Sequence, residues 1–384
     1  MAKPTRRAGV TGAISRHPAG VVGGLLGLAA AGAAAGVAVS RRGRGPAPEL
    51  SEGLPGRELT EAEFLAEDPL GPRGRAADRT ALVQADDGVL LAVEEIGLAR
   101  APVTIVFVHG YTLSMACWAF QRRALAGELT RARLVFYDQR GHGASGRGSS
   151  VNSTIEQLAR DLSTVLDVRV PRGPVVLVGH SMGGMTIMGL AALQPELFGS
   201  RVVGVALMST SSGNLANLTF GLPDLLTRVR AAVLPVAAWT MRRRPAIAEH
   251  TRRLAAGVVS AATRSLSFAS SDVDPALAHY VDAMIAGTPV DVIAEFYPAI
   301  AGLDHTGSLE PLRGVPTLVL TGDEDTLIPK EHSERLVELL PDAELIVVPE
   351  AGHMVLLEKP AEVNAALGGL LDKVRATAAE DRAG

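Results

Sequence analysis

Five residues, Gly179-His180-Ser181-Met182-Gly183, constrain this chain more than any other feature, because of what lies on either side of them. The apolar run Val175-Val176-Leu177-Val178 precedes them and a helix-like stretch from Thr186 to Leu193 follows. A G-x-S-x-G placed between a strand and a helix makes a sharp turn that lifts the serine clear of the sheet. Glycine at both ends lets the backbone turn and approach its neighbours without a Cβ clash. The helix that follows aims its N-terminal N–H groups and the positive end of its dipole at the same point. In a chain with 41 glycines the pentapeptide alone is weak evidence. Its setting between strand and helix gives it meaning and calls for an acid and a histidine downstream, in that order.

Both are present. Residues 316–321 form a short apolar run that predicts a buried strand. It leads into Gly322-Asp323-Glu324-Asp325-Thr326-Leu327-Ile328-Pro329, an acidic turn closed by a proline that starts the next helix, over residues 330–340. Asp323, Glu324 and Asp325 compete for the role of the acid. The next strand, residues 344–348, ends at Pro349-Glu350-Ala351-Gly352-His353, and a histidine on that loop can reach a serine at another strand end. A serine hydroxyl needs a base to attack at neutral pH, and the base needs a carboxylate to fix its tautomer. His353 is the candidate base. The candidate oxyanion-hole donors are the backbone N–H of Met182, directly after the serine, and that of Tyr111, in the loop after a strand at residues 103–108.

With these residues in place the chain resembles the α/β-hydrolase superfamily, in its serine esterase, lipase and cofactor-free haloperoxidase-like branch. The resemblance rests on His109-Gly110, the run from Asp138 to Ser145, Gly179 to Gly184, Gly322 to Pro329, and Gly352-His353, and it spans about residues 80–374. It implies an α/β fold, with a mainly parallel central sheet, helices on both faces and an inserted helical cap. It also implies Asp325 as the acid, so that Ser181, His353 and Asp325 form a triad. Arg140 and His142 would brace the site, and His109 and His180 would flank it. Epoxide hydrolases and haloalkane dehalogenases of this fold carry an aspartate at the turn, so Ser181 points instead to an acyl-enzyme. The expected activity is cleavage of a carboxylic ester, of a small molecule or a lipid, without a cofactor or metal. Perhydrolase activity, acyl transfer and a non-enzymatic ligand receptor are the alternatives.

The pattern of apolar runs places a hairpin at residues 79–96, across Asp86-Asp87-Gly88, then alternating strands and helices to a strand at 202–208. The core is expected to comprise residues 79–211 and 304–376, with a cap at 212–303 and a tail at 377–384. The first half of the cap is rich in arginine. Leu215, Leu218, Phe220, Leu222, Leu225, Leu226, Trp239 and Met241 could line an acyl pocket or pack the cap on the core. Residues 1–45 read as a basic and apolar N-terminal segment, and 46–78 as a linker. Residues 18–40 carry no charge and are about the ~20 residues a bilayer requires, with G-x-x-x-G pairs. They are a candidate membrane anchor, with a cleaved signal, secretion or a cytoplasmic location as the alternatives. The single Cys117 excludes an internal disulfide and a cysteine-rich metal site. A net charge of −4 gives no reason to expect nucleic acid. The sequence does not set the oligomeric state.

Overall fold

The strands at the centre of the molecule are near-continuous apolar runs, which calls for cover on both faces. In the computed structural model, which describes residues 77–126, 132–215, 266–270 and 273–383, they receive it. Eight strands form one sheet: β1 (Arg79–Gln84), β2 (Leu90–Ile96), β3 (Val103–Val108), β4 (Ala132–Tyr137), β5 (Val175–His180), β6 (Val202–Met208), β7 (Thr317–Gly322) and β8 (Glu344–Val348). Their order across the sheet is β1-β2-β4-β3-β5-β6-β7-β8. The β1–β2 hairpin and the β2–β4 pair are antiparallel, and every later pair is parallel.

The helices are α1 (Ala119–Leu125), α2 (Ile155–Arg169), α3 (Met182–Leu193), α4 (Pro275–Gly287), α5 (Val290–Ala301), α6 (Glu331–Leu339), α7 (Val355–Glu358) and α8 (Pro360–Ala383). Side chains alternate across a strand, so each strand divides its residues between two cores. Val106, Leu177, Val205 and Val319 pack with Leu158 and Leu162 of α2 and Met185 and Met188 of α3. Their neighbours Phe107, Val178, Ala206 and Leu320 pack with Phe120 of α1, Val355 of α7 and Leu367 and Leu371 of α8. Phe107 stacks on Phe136 with ring centroids 4.6 Å apart. A side-chain N-cap opens α2: the Thr154 hydroxyl accepts the N–H of Gln157.

The strands read from the sequence appear within two residues of their expected ends, while α3 begins at Met182, four residues before the expected Thr186. Helix α8 continues to Ala383, so residues 377–383 extend it and do not leave it as a tail. The segment between β6 and β7 contains α4 and α5. The N-terminal segment, the linker up to residue 76, and residues 216–265, which hold most of the arginines and apolar residues singled out in the cap, lie outside the described residues. Leu215 is described and is buried in the first core. Among the described residues no helix is long and apolar enough to cross a membrane.

One buried cation ties the hairpin, the β4 loop and α2 together. The Arg140 guanidinium donates to both carboxylate oxygens of Asp161 at 2.6 Å, and to Asp87 at 2.6 and 3.1 Å. Arg140 and Asp161 are both almost fully buried. Removing one partner of such a group strands the others without water. Arg140→Ala is therefore expected to lower the unfolding free energy by about 3–5 kcal/mol, measured by urea denaturation; a loss below about 1 kcal/mol would show that Asp161 is re-solvated.

Candidate active site

Strand β5 ends at His180, and the chain must reverse within one residue to enter α3. Ser181 takes that turn at φ 52° and ψ −119°, a conformation that non-glycine residues rarely adopt. The surroundings hold it there. Its N–H donates to Met208 O of β6 at 2.9 Å, and its carbonyl accepts the Thr210 hydroxyl at 2.7 Å. The first turn of α3 lies hard against the end of β3, since a Cβ on Gly183 would come within 2.0 Å of Val108 O. On the other side, a Cβ on Gly110 would lie 3.2 Å from the Cβ of Ser181. The loop carrying Tyr111 therefore runs beside the serine.

The acidic turn after β7 separates its three carboxylates by partner. Asp325 Oδ2 meets His353 Nδ1 at 2.9 Å, while its Oδ1 accepts the N–H groups of Leu327 and Ile328 at 3.0 and 2.9 Å. Asp323 and Glu324 instead meet Ala351 through one side-chain and one backbone contact. A carboxylate on Nδ1 holds the proton there and leaves Nε2 with a lone pair. The backbone of His353 is fixed as well. Its carbonyl accepts His180 Nε2–H at 2.9 Å, and the two rings lie 4.9 Å apart. His353 is thereby held against the residue immediately before Ser181. Ser181, Asp325 and His353 are all buried, at 9%, 5% and 7% exposure.

The other histidines near the site are locked neutral. His109 donates from Nδ1 to Gly110 O at 2.7 Å and accepts the Gln139 N–H on Nε2 at 2.9 Å. His142 donates from Nδ1 to Arg140 O at 3.0 Å and lies among the rings of His109, Tyr111 and Phe296. Burial pushes His109 down to about 4, and His142 and His180 down to about 3. Burial raises the Tyr111 phenol far above its ordinary value; its hydroxyl donates to Ile293 O of α5. Among the described residues no three His, Cys, Asp or Glu side chains cluster as metal ligands.

Two residues that bond to the backbone beside Ser181 and His353 carry no signal in the sequence. Thr210 stands in the polar run after β6, where its contact with Ser181 depends on how β5 and β6 pair. Glu358 closes α7 and accepts the N–H of Gly352 at 2.9 Å.

A sequence profile described as "Alpha/beta hydrolase family" matches residues 105–366. The chain is 27% identical to the dihydrolipoyllysine-residue acetyltransferase component of the acetoin cleaving system of Pseudomonas putida, over 82% of this chain and 74% of that protein. It is also 27% identical to the sn-1-specific diacylglycerol lipase of Mus musculus, over 67% of this chain and 77% of the lipase. Among solved structures, a thermophilic esterase from Thermogutta terrifontis is similar at 27% identity and a TM-score of 0.60, covering 77% of this chain and 99% of the esterase.

The neutral histidines make stability depend on pH in a defined direction. His109, His142 and His180 titrate in the fold below the ordinary 6.5. As pH falls from about 6.5 toward 4, the unfolded chain takes up protons that the fold refuses, so their contribution is complete above about 6.5 and is lost below it, at about 1.4 kcal/mol per pH unit for each histidine. Asp138 and Glu358, whose carboxyls burial raises, act in the opposite sense. A variant therefore isolates one histidine: His142→Gln is expected to reduce the slope of unfolding free energy between pH 5 and 6.5 by about one proton. Equal slopes in the variant and the wild type would show that His142 protonates freely in the fold.

Proposed function

Since the chain belongs to the alpha/beta hydrolase family and is an enzyme of that fold, we propose that it is a serine hydrolase that cleaves a carboxylic ester through an acyl-enzyme, with Ser181, His353 and Asp325 as its triad. The observation that carries this reading is the Asp325–His353 hydrogen bond, anchored beside a serine held at positive φ between strand and helix. In the forward step His353 Nε2 takes the Ser181 proton as the oxygen attacks the ester carbonyl. The imidazolium, stabilised by Asp325, then gives that proton to the departing alcohol. Water repeats the cycle on the acyl-enzyme and frees the acid. Met182 is the first residue of α3, where a backbone N–H has no intrahelical acceptor. With the N–H of Tyr111 it forms the oxyanion hole, each donor contributing about 3–4 kcal/mol to the transition state.

The reading of the substrate is coarser. Val292 and Phe296 of α5 lie against Gly141 and His142 beside the site, which supports an apolar group on the ester. The likeness to a diacylglycerol lipase and to an esterase supports the same class. The likeness to an acetyltransferase component supports a second reading, in which an alcohol or thiol replaces water as acceptor.

Fluorophosphonate labelling followed by peptide mapping tests the triad, together with a series of p-nitrophenyl esters of rising chain length. Label on Ser181 is expected, and Ser181→Ala should abolish both label and turnover. Asp325→Asn should keep the fold and lower kcat by about 10⁴. Label elsewhere, or full activity in Ser181→Ala, would overturn the proposal. Product analysis with added alcohol or thiol separates hydrolysis from acyl transfer.

A further inference from the structure

We propose that Glu358 is a positioning residue that fastens the His353 loop and a returning segment of the cap to a single carboxylate, so that His353 is in place only while that segment is docked. The inference rests on the triad reading, because it assigns His353 as the base.

Both carboxylate oxygens are in use. Oε1 accepts the N–H of Gly352, the residue before His353, at 2.9 Å. Oε2 accepts the N–H of Ala269 at 2.9 Å, across 89 residues of sequence. Ala269 lies in the described segment 266–270, between β6 and β7, inside the region read as cap. A second bond runs in parallel, from Met354 N–H to Ser267 O at 2.8 Å. The backbones themselves touch: a Cβ on Gly352 would come within 2.5 Å of Ala269 N and 2.6 Å of the Phe268 carbonyl carbon. Phe268 is buried in the core that holds Met354 and Val355, so the segment is seated by packing as well as by polar bonds.

The carboxylate is largely buried, and burial raises its pKa against the pull of the two N–H groups and of His353. Among the described residues no lysine or arginine pairs with it. Two backbone donors from two distant segments satisfy it instead, and a carboxylate is the side chain whose two oxygens can accept from both at once. An amide offers one acceptor and turns a donor toward the other N–H. An aspartate is one methylene too short to keep both. If segment 267–269 lifts away, the carboxylate loses half of its partners and Met354 loses its tether, on either side of the base. A buried acceptor left unpaired is unfavourable, so the loop and the segment move together.

The test compares the full chain with Glu358→Gln, using p-nitrophenyl butyrate turnover, the rate of fluorophosphonate labelling, and amide hydrogen exchange read by mass spectrometry. Glu358→Gln is expected to lower kcat by about tenfold or more while KM changes by less than about threefold, to slow labelling by a similar factor, and to speed exchange at Gly352 and Ala269 together. Glu358→Asp should fall between the two. Unchanged kcat in a folded variant would overturn the inference, as would faster exchange at only one of the two amides. If Glu358→Gln does not fold, Glu358→Asp decides by the same criteria. Failure of the wild type to label or turn over would sink the triad reading, and the exchange data would still decide whether one carboxylate joins the two segments.

Discussion

Everything at this site depends on how closely the first turn of α3 approaches the ends of β3 and β5. No side chain fits at Gly183, because Val108 O occupies the space a Cβ would need. That contact forces the chain to turn within one residue, and Ser181 is the residue that takes the strained angle. A strained residue persists only where its neighbours over-determine it. Here they are β6, through Met208 O, and the Thr210 hydroxyl. The same packing brings the Gly110 loop against the serine, so Ser181 and the backbone N–H groups proposed as its oxyanion hole are placed together.

The second constraint is the unequal treatment of the histidines. His109, His142 and His180 lie in the same region as His353, yet each has its proton committed to a backbone carbonyl. Burial keeps them neutral. Of these four only His353 is hydrogen-bonded to a carboxylate, at 2.9 Å, whereas His109 stands 3.9 Å from Asp138; the Asp325 carboxylate is itself fixed by two backbone N–H groups. The carboxylate can stabilise a positive charge on the ring at the moment a proton arrives, which the surroundings of the other three cannot do. His180 acts on His353 in a different way, by donating to its carbonyl and so fixing its backbone.

Much of this was legible because it is local. The apolar runs of β3 to β7 and the G-x-S-x-G between strand and helix depend on neighbours in sequence, and the sheet covered on both faces and the sharp turn at Ser181 followed from them. The choice among Asp323, Glu324 and Asp325 was not local. It needed the resemblance to a family, and the structure distinguishes the three by which atom each one touches. Thr210 and Glu358 were invisible for the same reason. Each acts through a backbone group of another strand end or loop, and a hydrogen bond to a backbone group leaves no pattern in the sequence of its partner. The expectation of a helical segment between β6 and β7 held for α4 and α5, but its packing on the core could not be derived from composition.

That packing connects the chemistry to whatever passes over it. Helix α5 takes the Tyr111 hydroxyl on Ile293 O, and Thr288 donates to the carbonyl of Thr112, so the loop that carries Tyr111 is tied to the cap at two points. The first crossing from core to cap is tied too, where Ser211 meets His332 of α6 at 2.8 Å. The crossing back is held by the bridge between Gly213 and Asp304. Cap residues thus reach the loop that carries Tyr111, and His332 of α6 reaches the segment that leads into the cap. Interfaces packed this tightly adopt discrete arrangements and do not deform smoothly. On the proposed chemistry, a substrate that packs against α5 would also bear on the loop that carries Tyr111, and binding energy from parts remote from the reacting bond would be expressed in the rate of the chemical step.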